Sequence, residues 1–351
     1  MLPFLLKKIL NGLLVLLGVV VIVFFLFFVI LPADPARLTM GQRSDAKSLE
    51  NIRKELYLDQ PLPRQFTLYL NDLSPIAVHG DSLKAQEKYR YTKLLEWGES
   101  EALVIKPPFL RRSYQTKKAV SSMLWEAFPG TLILACLSIF FASILGIFLG
   151  TVAALKQHTW MDSSIIFSSV LGISAPSFFA GIFIAYLFGF LWSDWTGLSI
   201  ISPMWDYDPY EGKKLVLKSL FLPVLTLSIR PLAIIVQITR SSMLDVMQQD
   251  FIRTAVAKGL SKKAVIWRHA LRNALNPVIT SISGWFAELL AGSFFIEYIF
   301  GWKGLGKITV DALNKFDFPV VMGAVLFTAL IFIVVNTLVD LLYKMIDPRI
   351  K

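Results

Sequence analysis

The sequence contains few of the residues that catalysis and metal binding require. Its 351 residues include one cysteine and three histidines, and the histidines show no ligand spacing with cysteine or carboxylates. A disulfide within the chain and a cysteine-rich metal site are therefore excluded, and we expect no metal site. The chain also lacks a nucleophile elbow, a zinc-protease motif and a paired-carboxylate pattern. We therefore do not expect an enzyme.

Charge is scarce as well. Charged residues make up 17% of the chain and hydrophobic residues 55%, whereas soluble domains carry about 25% charged residues. The mean hydropathy of +0.60 is typical of a polytopic membrane protein. The net charge of +10 comes from bases between apolar runs, without aromatic–basic interleaving. This pattern favours contact with anionic lipid headgroups over nucleic-acid binding.

Six apolar segments predict an all-α integral membrane fold with six transmembrane helices. The first lies within residues 1–31 and is too long for a cleaved signal peptide. A polar segment, residues 32–125, follows it and predicts a large extracytoplasmic loop; within it, residues 71–120 indicate a small subdomain of unknown role. The remaining helices form a five-helix core, residues 126–351, with segments at about 128–155, 163–192, 219–242, 276–299 and 319–345.

The distribution of charge in the short loops predicts the orientation. Residues 240–272 carry seven basic and two acidic residues, whereas residues 193–218 carry four acids and three lysines. Because basic loops stay in the cytoplasm, both termini are predicted to be cytoplasmic.

The basic loop, residues 243–275, is patterned as a helix–turn–helix, and we call it the coupling loop. Asp250 is predicted to cap a first helix that Gly259 ends, and Ser261 to cap a second. Asn276-Pro277 is predicted to begin the next membrane helix. A juxtamembrane helix lying on headgroups is the simpler interpretation. The capped break at Gly259–Ser261 favours docking of a soluble partner instead.

These residues carry a resemblance. The run RTAVAKGLSKKAVIWRHALRNALNP is similar to the cytoplasmic coupling loop of binding-protein-dependent ABC permeases, in the dipeptide/oligopeptide/nickel branch. Ala255, Gly259 and Leu271 match the general motif, whereas Arg253, Thr254, His269 and Arg272 depart from it in the manner of the peptide branch. Further stretches resemble this branch: LDQPLPRQ, ISAPSF, TRSSMLDVMQQD, GLGK and VDLLYKMIDPRIK. The resemblance covers most of the chain except about residues 71–120.

The resemblance implies the permease subunit of an importer in the inner membrane. Its implied partners are a second, homologous permease, two ATPase subunits and an extracytoplasmic substrate-binding protein. ATP and magnesium would be bound by the ATPases, and this chain would bind no cofactor. The cargo would be peptides, nickel or related small solutes, moved by alternating access. The residues expected to carry ATPase coupling are Ala255, Gly259, Ser261, Val265, Trp267 and His269, with Val265, Ile266 and Trp267 offering apolar bulk to the partner.

Three intramembrane residues are weaker candidates for lining the pathway. Pro176 interrupts an apolar segment and is expected to kink or unwind it. Arg230 and Glu288 are the ionisable residues deepest in apolar runs, where charge marks either a pathway or a structural pair. An ion-coupled secondary transporter is the alternative function, although few other intramembrane acids are present to support it.

One motif is misleading. Residues 301–307, GWKGLGK, fit the start of a phosphate-binding loop, but Ile308 stands where the serine or threonine that binds magnesium is required. A transmembrane segment, rather than a strand, precedes it. We therefore predict a tight turn there and no nucleotide site.

Overall fold

The computed structural model describes residues 2–30, 50–51, 53–54, 56–80, 82–97, 101–201, 205–208 and 212–346. Residues 31–49, which begin the predicted extracytoplasmic loop, and residues 347–351 at the C-terminus lie outside the described residues. The chain divides into two compact units. One comprises residues 1–126 and 308–330, and the other comprises residues 127–307 and 331–351.

The first unit combines a long apolar helix with a small mixed α/β element. Its helices and strands are α1 (Leu2–Phe25, extended by a π-helical turn at Leu26–Ile30), α2 (Leu62–Leu73), β1 (Ile76–Gly80), α3 (Leu83–Tyr89), β2 (Thr92–Trp97) and β3 (Glu101–Ile105). The strands form an antiparallel sheet in the order β1–β3–β2. Residues 71–120 thus contain a folded element, which an all-α prediction leaves out.

Asp72, at the end of α2, organises the polar interior of this element. Its carboxylate accepts hydrogen bonds from the hydroxyls of Tyr57 at 3.2 Å and Tyr89 at 3.1 Å, and pairs with Arg111 at 3.4 Å. Burial and the Asp72 charge raise the pKa of Tyr89, which keeps its hydroxyl a donor. Asp72 is 2% exposed, so these partners offset the cost of burying its charge.

The second unit is built mainly of helices. They are α4 (Val120–Leu155), α5 (Trp160–Ser174), α6 (Ser177–Tyr186, extended by a π-helical turn at Leu187–Leu191), α7 (Ser193–Thr196), α8 (Lys218–Met247), α9 (Asp250–Ala257), α10 (Lys262–Ala264), a π-helical segment (Val265–Ala270), α11 (Leu271–Gly292), α12 (Phe294–Ile299), α13 (Leu305–Asn314) and α14 (Phe318–Ile346). Helices α4, α13 and α14 each continue across the boundary between the units. An antiparallel hairpin joins β4 (Trp205–Asp208) to β5 (Gly212–Leu215). The largest core cluster of the unit includes Leu134, Leu222, Ile235, Leu290 and Trp302.

Four helical stretches are long and apolar enough to cross a membrane: Phe4–Ile30, Val120–Leu155, Lys218–Met247 and Phe318–Leu341. A fifth span is counted if α5 and α6, bent by 105° at a break, are taken as one. The described residues therefore agree with a mostly helical membrane protein but do not confirm six spans. The predicted span at 276–299 is missing from the apolar helices because α11, which carries it, is interrupted by polar side chains and ends at Gly292.

Candidate coupling site

The coupling loop folds as two helical pieces joined by a fixed turn. Helix α9 ends at Ala257, and Gly259 takes a left-handed φ of +78°. The amides of Gly259 and Leu260 donate to the carbonyls of Val256 and Ala255, at 2.9 and 3.3 Å. This pair of bonds is a Schellman motif, in which glycine adopts the left-handed conformation without strain. The predicted role of Gly259 as the helix terminator is confirmed.

Ser261 caps the next helix, and three residues separate it from the last residue of α9. Its hydroxyl accepts a hydrogen bond from the amide of Ala264 at 3.3 Å, as predicted for an N-cap. The chain then stays helical from Lys262 through the π-helical segment into α11. The second half of the coupling loop and α11 therefore form one continuous helical rod.

Two predicted helix boundaries in this region are wrong. Asp250 is the first residue of α9, and the cap position is Gln249, which makes no side-chain capping bond. Asn276-Pro277 does not begin a helix, because Pro277 lies inside α11, whose first residue is Leu271. The helical turns before Asn276 are already formed, so no cap is needed there, and the helix tolerates the loss of the one backbone hydrogen bond that proline cannot donate.

Burial divides the predicted coupling residues into two groups. Ala255 and Val265 are 5% and 2% exposed, and they pack with Ile252, Ile266 and Ala270 in a core cluster of their own. The expectation that Val265 and Ile266 offer apolar bulk to a partner is therefore wrong, because the protein's own side chains already cover them. These residues hold the two helical pieces together.

The other predicted residues remain accessible. Trp267 is 51% exposed, Gly259 and Ser261 lie on the surface, and His269 is partly exposed. Sequence reasoning did not select two exposed apolar neighbours, Val256 and Leu260. We call Val256, Leu260 and Trp267 the apolar docking face. Exposed bases lie next to these residues in the sequence: Arg253, Lys258, Lys262, Lys263 and Arg268. An apolar centre with a charged rim is the common anatomy of a protein interface.

An ion pair joins α8, just before the coupling loop, to the start of α5. Arg240 donates from Nε and Nη2 to the two oxygens of Asp162, at 2.6 and 2.7 Å. Asp162 also accepts from the amide of His158 at 3.0 Å. A bidentate Arg–carboxylate pair fixes orientation as well as distance, so it holds these two helices in register. The signal in the sequence was an acid immediately before an apolar segment.

The GWKGLGK motif, residues 301–307, forms a second turn with a defined set of hydrogen bonds. Glu297 on α12 is fully buried, and its carboxyl accepts from the hydroxyls of Thr131 and Ser293 at 2.7 and 2.6 Å. It also accepts from the amides of Gly306 and Lys307, at 2.7 and 3.3 Å. We call this arrangement the Glu297 cradle. The start of α13 thus presents amides to an oxygen acceptor, as a phosphate loop does, but the acceptor is a side chain of the protein.

Glycine is needed in this turn for close approach. A Cβ on Gly304 would overlap the carboxyl of Glu297, and one on Gly306 would overlap the backbone of Phe294. Trp302 is buried beside them, and its ring nitrogen donates to the carbonyl of Gly130 at 3.0 Å. The predicted tight turn is present, and the internal carboxylate occupies the position that a nucleotide phosphate would take.

The three pathway candidates lie on three different helices. Pro176 caps α6 at the 105° bend, where a break was expected. Arg230 lies on α8 with its guanidinium 5.9 Å from the centre of the Trp285 ring. Glu288 is exposed on α11. Among the described residues no ion pair joins Arg230 to Glu288, and no group of histidine, cysteine and carboxylate side chains could hold a metal ion.

Several apolar helices of spanning length, together with an exposed helix–turn–helix, define a polytopic membrane protein. Two family models place it more closely. The model described as "Binding-protein-dependent transport system inner membrane component" matches residues 146–351, and that of the corresponding N-terminal part matches residues 1–135. The chain belongs to this family of multi-pass inner membrane components, which are transport subunits rather than enzymes.

Curated relatives match over the full length of the chain. The dipeptide transport system permease protein DppB of Alkalihalophilus pseudofirmus is 32% identical, with 100% of both chains covered. The glutathione transport system permease protein GsiC of Pectobacterium atrosepticum is 34% identical, covering 100% of this chain and 99% of its own. A putative peptide transport system permease protein of Brucella abortus is 36% identical, covering 99% and 98%. These matches confirm the peptide branch of the ABC importer permeases.

Proposed function

We propose that this chain is the membrane-spanning subunit of an ATP-driven importer for peptides or small peptide-like solutes such as glutathione. The observation that carries the proposal is the full-length similarity to relatives named for dipeptide, glutathione and peptide transport. In this proposal the chain crosses the membrane six times, with α11 as the least apolar span. Both termini lie in the cytoplasm, as the basic coupling loop supports.

The proposed assembly contains a second permease, two ATPase subunits that bind ATP and magnesium, and an extracytoplasmic binding protein. The ATPases dock on the coupling loop through the apolar docking face, with Gly259 and Ser261 fixing the turn that presents it. When ATP closes the ATPase pair, the helical rod from Lys262 to Gly292 carries the displacement into the membrane. The permease then alternates between outward-open and inward-open states, which requires partner contacts that differ between the states.

Two experiments test this function. A C-terminally tagged chain, purified gently from its native membrane, is expected to bring with it a second permease and P-loop ATPases. Uptake of a labelled dipeptide is expected to stop when ATP is depleted while the ion gradients are held. Uptake that continues without ATP and follows the gradient would instead establish the alternative, an ion-coupled secondary transporter.

A further inference from the structure

Helix α11 is long enough to cross a membrane, yet it is not among the apolar spans. Its 22 residues rise about 33 Å, at about 1.5 Å per residue. One side of it is buried, with Val278 and Ala287 fully covered. The other side is exposed at positions four apart, which follow one stripe along a helix: Asn276, Thr280, Gly284 and Glu288. We call these four residues the polar stripe.

The polar stripe is unsuited to contact with lipid. An exposed carboxylate and an asparagine amide on a spanning helix need water, a polar partner or a counter-charge, since hydrocarbon offers none. A side chain at Gly284 would meet no atom within 4 Å, so this surface is open in the single chain. The apolar exposed positions of α1, such as Leu14, show the contrasting lipid-compatible pattern.

A positive charge lies at the same depth on the neighbouring helix. Arg230 precedes the end of α8 at Met247 by 17 residues, and Glu288 follows the start of α11 at Leu271 by 17 residues. Each therefore lies about 26 Å along its helix from that helix end, at about 1.5 Å per residue. The guanidinium of Arg230 lies 5.9 Å from the centre of the Trp285 ring, three residues before Glu288, so Arg230 lies beside this part of α11.

We infer that the polar stripe lines a water-filled route through the membrane, in which Glu288 and Arg230 contact the two charged ends of a zwitterionic, peptide-like cargo. The inference rests on the proposed function and adds residues and a cargo chemistry to it. Glu288 attracts the ammonium group and Arg230 the carboxylate. Because the two side chains form no ion pair with each other, each remains free to contact the cargo. Shared exposure to water keeps both contacts weak enough for release.

The single cysteine makes a direct test possible, since Cys136→Ser alone removes every cysteine from this chain, and labelling is measured on this chain after the subunits are separated. Thr280→Cys, Gly284→Cys and, as a lipid-side control, Leu14→Cys are introduced separately, and each complete complex is reconstituted in vesicles. The probes are a cationic and an anionic membrane-impermeant methanethiosulfonate. We expect both stripe cysteines to react at least tenfold faster than the Leu14→Cys control. Added dipeptide should slow their reaction.

Reagent charge tests the roles of the two ionisable residues. At Gly284→Cys, one turn from Glu288, the cationic probe should react several-fold faster than the anionic one. Adding Glu288→Gln should remove this preference, whereas adding Arg230→Gln should increase it. If neither substitution altered the preference for the cationic probe, the roles assigned to Glu288 and Arg230 would be overturned.

ATP-driven dipeptide uptake, measured on the Cys136→Ser parent complex without stripe substitutions, separates this inference from the proposed function. Stripe cysteines that react no faster than the control, with and without ATP, while the parent complex takes up dipeptide, would overturn the water-filled route alone. Absence of ATP-driven uptake by the complex before any substitution would overturn the proposed function itself. Fast, charge-selective labelling of the stripe cysteines, together with uptake by the parent complex, supports both.

Discussion

Two glycine turns in this protein use the same residue for opposite reasons. At Gly259 the backbone needs a positive φ, and an added Cβ would meet nothing within 4 Å. At Gly304 and Gly306 an added Cβ would overlap Glu297 or the Phe294 backbone. The first turn is specified by conformation and leaves open space around it, whereas the second is specified by packing. An open, rigid turn is suited to docking, and a filled turn to holding helices together.

The largest effect on stability is expected when the Glu297 cradle loses the carboxyl group that accepts its hydrogen bonds. Glu297→Ala would leave four donors without their partner, two hydroxyls and two amides, in a buried site. Since each buried unsatisfied donor costs about 1–3 kcal/mol, we expect a loss of about 4 kcal/mol or more. The melting temperature of the detergent-solubilised complex measures it. The exposed carboxylate change Glu288→Gln is the matched control, and equal melting temperatures for both variants would contradict the role of the Glu297 cradle.

A smaller effect is expected from a single methyl group in the same turn. Gly306→Ala places a Cβ against the backbone of Phe294, which cannot rotate away as a side chain can. Overpacking of this kind costs about 1–3 kcal/mol. Gly284→Ala adds the same methyl group inside a helix where nothing lies within 4 Å, so its melting temperature should equal or exceed that of the unmodified protein, since alanine has the higher helix propensity. A similar loss at both positions would contradict the packing explanation.

Next in size is a pair of changes that separates folding from docking in the coupling loop. Val265→Ala removes two buried carbons and should destabilise the chain by about 2 kcal/mol. Trp267→Ala should leave stability within about 0.5 kcal/mol. If Trp267 is a central contact, the same change weakens ATPase binding by about 2 kcal/mol, or roughly 30-fold. Melting temperature and ATPase co-purification measure the two properties. A large loss of stability in Trp267→Ala would instead make it a core residue.

Sequence patterns predicted the local features of the coupling loop well. The end of α9 at Gly259 and the cap at Ser261 depend on residues within a few positions, so their chemistry is visible in the sequence. The burial of Val265 and Ile266 was not predicted, because a short apolar run shows only that one face is covered and not whether the protein or a partner covers it. Pro277 was misread for a similar reason, since the helix that passes through it is set by residues upstream.

The Glu297 cradle was beyond sequence reasoning because its donors come from three separate parts of the chain. Thr131 is 166 residues from Glu297, and no local pattern connects them. The one available signal was the acid itself, which lies in an apolar segment and has a glycine-rich turn after it. The prediction of six spans is not confirmed by the apolar helices, because α11 combines a buried apolar side with polar residues that lower its mean hydropathy.

Substitution of Gly259 should alter the structure least, and it tests whether this turn needs glycine for its backbone conformation or for close packing. Gly259→Val forces a β-branched residue into a left-handed φ, at a cost of about 1–2 kcal/mol, and no neighbouring atom adds a clash. Because only the exposed turn is strained, membrane levels should stay normal while ATP-driven uptake falls about tenfold, the factor that 1.4 kcal/mol corresponds to. Gly259→Asn is the control, since asparagine tolerates this conformation, and it should retain at least half of the uptake. Equal loss in both variants would mean that a partner packs against the bare glycine, so that this turn, too, is filled when the complex is assembled.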